Sequence, residues 1–239
     1  MVTAMMFVGS QLSAQTNVYL NLSGVVPTGD FAEGDENEWG LMTEDNEGGA
    51  GLGFNAGLKF NIATGVNGLR AMITMDAIYN GLNSDLQDAF EDAIDSGEDN
   101  FKDYSLTKPR YVNIPVMAGV NYTYEFNNKF GLFAEGGLGP DLHIVTKSEE
   151  YRENASAKTT STIEYKPQLS LAYQLGAGVE INKRFIMGLS FYNLGSAKVK
   201  GEESYKVKYT NGGSASNSAK FSLKRITPTM IMLRVGFKL

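Results

Sequence analysis

The sequence predicts an all-β chain. It closes into an eight-stranded antiparallel up-and-down transmembrane β-barrel with four long extracellular loops and short periplasmic turns. Three observations predict it. Eight stretches alternate apolar residues with small or polar ones at a period of two, which is a strand with two unlike faces. The connections between them alternate long and short, as they do when every long loop lies on one side of a bilayer. The apolar faces carry no charge on any of the eight, where a Lys or Arg at mid-bilayer would cost about 2–4 kcal/mol.

Composition sets the bounds. The chain has 239 residues, with 27 Gly, 13 Phe and 12 Tyr, enough for one large barrel. It has no Cys, which excludes a disulfide scaffold, a thiolate metal site and a thiol nucleophile. Its single His excludes most His-based metal clusters. A formal net charge of −6 argues against a nucleic-acid surface. No cofactor site is read.

Met1 to Ala14, MVTAMMFVGSQLSA, is short, apolar and ends in small residues. It is expected to be the remnant of a secretory signal peptide without its basic start, leaving a barrel over residues 15–239. The strands follow in order: Asn17–Gly24, Gly51–Asn61, Leu69–Asn80, Tyr111–Tyr124, Gly131–Val145, Leu169–Ile181, Phe185–Asn193 and Thr229–Leu239. The fourth is the clearest. Val112, Ile114, Val116, Ala118, Val120, Tyr122 and Tyr124 alternate with Tyr111, Asn113, Pro115, Met117, Gly119, Asn121 and Thr123. Short connections containing Asn67-Gly68, Asn127-Asn128 and Asn182-Lys183-Arg184 have hairpin chemistry. The last long loop also alternates, over Tyr205–Tyr209 and Phe221–Leu223, and can fold as a hairpin above the membrane.

The second faces are poor in charge and rich in Gly, Asn, Ala, Ser and Gln, which suits the crowded interior of a small barrel. The few inward charges are Lys59, Arg70, Arg234 and Lys238 against Asp76, Glu135, Glu180 and Asp141. Charges in a narrow lumen must pair, so a hydrogen-bonded plug is expected; the alternative is a gated ion or proton path. Phe60, Tyr122, Tyr124, Phe185 and Phe237 fall at periplasmic strand ends, and Tyr79, Tyr173 and Phe191 toward the opposite rim. These are the places of the aromatic girdles, where an apolar ring meets lipid and a hydroxyl meets headgroups.

The chain resembles the small outer-membrane β-barrel proteins of Bacteroidetes-type bacteria, relatives of the outer-membrane protein A transmembrane domain and of outer-membrane protein W. The stretches that carry the resemblance are LSAQ, SGVVPTGDF, YVNIPVMAGVNYTY, GLFAEGGLGP, YQLGAGVEINKRF, FYNLGSAKVKGE and the terminal MIMLRVGFKL. The last is similar to the C-terminal signal read by barrel-assembly machinery, although Leu239 rather than Phe ends it. The resemblance implies an outer-membrane location, lipid and the assembly machinery as partners, and no catalytic residues. It also allows a narrow channel for small apolar solutes, with Met72, Ile78, Phe133 and Met230 lining an apolar upper lumen.

Binding is expected in mobile loops, and their partner is not legible. Asp30 to Gly49 is acidic throughout and holds the only Trp, Trp39. The stretch SDLQDAFEDAIDSG spaces Leu86, Phe90, Ala93 and Ile94 as a short amphipathic helix, with Ser84 and Gln87 as a capping box. The last long loop is basic, so the opposite-signed loops can pair across the rim or stand solvated. A divalent cation on the acidic loops is a minor alternative, since no EF-hand spacing occurs. A lipid hydrolase using His143 with Ser170 or Ser190, and a soluble lipocalin-like barrel, are the remaining alternatives.

Overall fold

The computed structural model describes residues 16–33 and 48–239. The expected signal peptide and most of the first acidic loop, Trp39 included, lie outside the described residues.

Eight strands close the barrel: β1 (Thr16–Thr28), β2 (Ala50–Ala63), β3 (Leu69–Leu82), β5 (Tyr111–Glu125), β6 (Phe130–Val145), β9 (Gln168–Ile181), β10 (Phe185–Asn193) and β13 (Thr229–Lys238). Each pairs antiparallel with its neighbours in sequence order, and β1 pairs β13 to close the ring. Closure leaves no unpaired edge inside a bilayer, which is the condition for crossing one with strands. Every strand reaches its expected bounds, except that the last ends at Lys238 rather than Leu239.

Turn chemistry fixes the periplasmic register. Asn182 and Lys183 both adopt left-handed backbone, φ 53° and 56°, and Arg184 N–H donates to Ile181 O at 3.1 Å. That is a type I′ hairpin, whose twist matches the flanking strands. Asn127 Oδ1 accepts from the N–H groups of Lys129 and Phe130 at 2.8 and 3.0 Å, an Asx turn joining β5 to β6.

The long connections are where the structure departs from expectation. A helix, α1 (Ser84–Asn100), forms in the second of them. Its N-cap is Asn83, not Ser84. The Asn83 side chain accepts from Leu86 N–H at 2.9 Å, and Gln87 reaches back to Leu82 O instead of closing a box. The rest of the second long connection and the third and fourth form strands rather than mobile loops: β4 (Asp103–Thr107), β7 (Ser148–Glu153), β8 (Ala157–Tyr165), β11 (Ala197–Tyr209) and β12 (Ser214–Ile226). They build a second, five-stranded sheet in the order β12-β11-β8-β7-β4. The hairpin expected in the last loop is therefore one part of a larger platform. α1 seats on β4 at Gly97, where a Cβ would come within 2.5 Å of the Tyr104 ring.

An apolar cluster joins the two sheets. Val25, Ile78, Met117, Met230 and Met232 fill the outer end of the lumen. Leu86 from α1, Val199 from β11 and Ile226 from β12 continue the same buried cluster upward. The platform thus stands on the mouth of the barrel rather than hanging from flexible tethers.

Candidate functional site

The two faces of the barrel are inverted relative to a soluble protein. Leu169 and Leu52 are each 74 % exposed, and Leu175 and Leu233 are each 60 % exposed. Asn113, Gln174 and Arg234, which alternate with such residues, are at most 1 % exposed. A large aliphatic side chain left in water forgoes about 1.5–3 kcal/mol of burial, so a whole belt of them is not a water-facing surface. The outward-facing apolar band and the closed ladder make this an outer-membrane-type β-barrel.

Aromatics rim the belt. Tyr122, Tyr124, Phe185 and Phe237 are exposed at the periplasmic end, where Phe60 is half-buried; the Phe185 and Phe237 rings meet tilted at 55°, 5.1 Å between centroids. Tyr173 and Phe191 lie together on the opposite side at 6.2 Å. Tyr79 stacks at 5.1 Å on the exposed Phe54 of β2, which was not among the residues expected in the girdle. Phe126 and Phe130 were also missed; they flank the Asx turn and are exposed, Phe126 edge-on to Tyr124 at 5.2 Å. Their turn position hides them from an alternation search.

Inside, the predicted charges meet through strands far apart in sequence. Glu135 on β6 is the centre. Lys59 Nζ from β2 donates to its Oε2, and Arg234 Nη1 from β13 donates to its Oε1 at 2.5 Å. Asn121 Nδ2 donates to Oε2 at 3.1 Å. Arg234 Nη2 extends the network to Tyr192 Oη at 2.6 Å, and Tyr192 donates onward to Asp76 Oδ2 at 3.0 Å. Asn55 donates to the other Asp76 oxygen at 2.9 Å. Both oxygens of each carboxylate are therefore used, which is what makes burial of such ions tolerable.

Arg70 and Glu180 stand apart, 3.8 Å from one another, nearer the periplasmic end. Lys238 does not join. It is partly exposed at that same end and makes none of the ion pairs among the described residues. Its place at the last residue of β13 lets it reach water. Asp141 is fully buried and likewise joins none of these pairs.

Small residues make room for this packing. A Cβ on Gly57 would fall 2.1 Å from Asp76 Oδ1, and one on Gly178 would fall 2.8 Å from the Phe133 ring. Phe133 packs with Tyr19 and Ile186 at the inner end of the lumen, not in its outer part. Only Ile78 and Met230 of the residues expected to line an apolar upper lumen join the outer cluster, and both are fully buried.

No hydrolytic arrangement forms among the described residues. His143 Nδ1 lies 2.5 Å from Asn113 Oδ1, and Ser170 donates to Leu194 O rather than to His143. Ser190 sits opposite Gly176, on strands other than the one that carries His143. Among the described residues, the acidic helix and the basic loop do not pair across the rim; most of the first acidic loop lies outside the described residues. The helix α1 lies at the β4 end of the outer sheet, and the basic strands β11 and β12 lie at the other end.

Comparison with known proteins gives likeness in solved structures only. No protein-family model matches the chain, and no curated protein does. A major outer membrane protein from Thermus thermophilus is similar at 9 % identity and TM-score 0.47, covering 94 % of this chain and 99 % of that one. Ail, the attachment invasion locus protein of Yersinia pestis, is similar at 12 % identity and TM-score 0.41, covering 94 % and 97 %. The outer membrane protein OprG from Pseudomonas aeruginosa is similar at 13 % identity and TM-score 0.42, covering 94 % and 96 %.

Proposed function

We propose that the protein is a non-catalytic outer-membrane barrel of structural and surface-interaction type, with a lumen plugged by side chains and a folded outer sheet held up for contact. One observation carries this reading. The buried Lys59–Glu135–Arg234 triad spans the lumen between β2, β6 and β13, and the apolar cluster above it is continuous with the base of the outer sheet. The interior serves for fastening, and the elaborated surface lies outside. The same reading has outer-membrane lipid around the belt and barrel-assembly machinery engaging β13, whose alternation runs through Phe237.

The resemblance to outer-membrane protein W offers a second reading, a narrow channel for small apolar solutes. The apolar outer lumen favours it, and the full burial of Met230, Met232 and Ile78 speaks against an open path. Planar-bilayer recording of the purified protein, with uptake of a small apolar solute into protein-loaded vesicles, separates the two. A silent bilayer and uptake equal to empty vesicles is the expected result; steady conductance or solute entry in the unmodified protein overturns the plug.

A further inference from the structure

The outer sheet is electrically polarised from end to end. At the β12 end, Lys198, Lys200, Lys206, Lys208, Lys220 and Arg225 are all exposed, against only Glu202 and Glu203 on the same two strands. Lys208 lies directly opposite Lys158 in the β11–β8 register, a like-charge pair that destabilises a sheet. Lys158 has Glu153 at 2.7 Å, but Lys206 and Lys208 make no ion pair among the described residues. At the β4 end, α1 contains no Lys or Arg, and exposes Asp85, Asp88, Asp92, Asp95, Glu98 and Asp99. Among the described residues only Glu91 of that helix is in an ion pair, with Lys108 at 2.7 Å.

The two ends do not neutralise one another within the molecule. Four strand spacings separate β12 from β4, roughly 19 Å, more than twice the screening length of about 8 Å at physiological salt. β12 is moreover an edge strand, exposed from Ser214 to Lys220, with no Pro and with Lys220 as its one charge there. An edge of this kind is open to a neighbour.

We infer that the basic β11–β12 end of the outer sheet docks the acidic α1 end of a second copy of this chain, so that barrels associate side by side, head to tail, in the plane of the membrane. Charge complementarity selects this partner: two β12 ends would set cations against cations. The bilayer supplies the geometry. Copies inserted the same way up hold their sheets at one height, so a lateral approach brings opposite ends together without tilting either molecule. A contact between unlike patches is heterologous and propagates into rows or closes into rings.

The inference rests on the membrane-spanning reading, so insertion is read separately from association. The full chain, labelled with donor or acceptor dye, is inserted from one side of preformed phosphatidylcholine vesicles. Heat-modifiable gel mobility and co-flotation report insertion; energy transfer reports association. Wild-type protein is expected to associate at about 50 mM NaCl and to lose about tenfold in apparent affinity at about 500 mM. Two triple variants carry the test: Asp88→Lys/Asp92→Lys/Asp95→Lys in α1, and Lys206→Glu/Lys208→Glu/Lys220→Glu in β11–β12. Each alone is expected to lose association at least tenfold while inserting normally. An equal mixture of the two is expected to regain it, because each then offers what the other lacks. Transfer that persists in either single variant, or that fails to return in the mixture of inserted barrels, overturns the inference. So does a loss confined to the basic-end variant, which assigns those lysines to an anion other than a second copy.

Discussion

The lumen and the outer sheet are both antiparallel β-structure, yet they are held by opposite means. In the lumen, every strand has one face that must avoid water and one that must find partners, and the partners are ions: Lys59, Glu135 and Arg234 lie at 1 % or less side-chain exposure. In the outer sheet the inner strands β7 and β8 are partly exposed on both faces, β8 is hydroxyl-rich, and the two are laced with pairs such as Lys158–Glu153 and Lys147–Glu149. Water and salt screen such exposed pairs, so the backbone ladder and the apolar base at Val199 and Ile226 hold that sheet up. The difference teaches that in this chain lipid, not water, sets where sequence contrast is strict.

The largest effect is expected at the centre of the lumen. Glu135→Ala strands Lys59 and Arg234 without a counter-ion and should cost about 3–5 kcal/mol. Urea titration of vesicle-inserted protein, followed by heat-modifiable mobility, measures it. Glu135→Gln keeps the shape and is expected to cost less. If the two variants match wild type, the network contributes nothing and the comparison fails on its stronger side.

Next comes a matched pair of outward charges. Leu175→Arg places a cation in the belt and is expected to cost about 2–4 kcal/mol. Asn217→Arg places the same charge on β12 and is expected to fall within about 0.5 kcal/mol of wild type. The same urea titration reads both; equal effects would erase the distinction between lipid-facing and water-facing strands.

How much of this was legible follows from the same contrast. The barrel strands could be read because Val116, Val120, Leu175 and Leu233 answer to lipid while Asn121, Gln174 and Arg234 answer to a crowded axis. The outer strands SEEYRE and AKTTSTIEY present no such contrast, because water meets both of their faces, and so they read as loop. The helix was legible from Leu86, Phe90 and Ala93, but its start was not. Asn83 and Ser84 are both capping residues, and only the backbone geometry at Asn83 decides between them. Glu135 as a charge in the lumen was visible; its central role was not, because it depends on Asn121 and Tyr192, which sequence gives as an ordinary polar residue and an ordinary ring.

A third and smaller effect separates the platform from its base. Gly97→Val drives a branched side chain into the Tyr104 ring and is expected to loosen α1 from β4 at about 1–3 kcal/mol of local stability. Limited proteolysis should then cut within residues 84–107 while the heat-modifiable mobility of the barrel stays unchanged. A parallel loss of barrel stability would mean that the two sheets unfold as one unit.

The smallest effect is a matter of pH and concerns that same contact. Tyr104 Oη donates to Glu150 at 3.1 Å, and burial together with that carboxylate pushes the phenol up to about 12. A group whose folded value is raised contributes stability below its unfolded value near 10, and loses it as pH rises through about 12. The α1–β4 contact should therefore weaken between about pH 10 and 12, seen as proteolytic opening of residues 84–107 ahead of any change in the barrel. Tyr104→Phe keeps the ring against Gly97 and removes the ionisation, so it should abolish this opening. If the opening survives in Tyr104→Phe, another group carries the alkaline sensitivity, and the weak point of the platform lies elsewhere than at the seat of its helix.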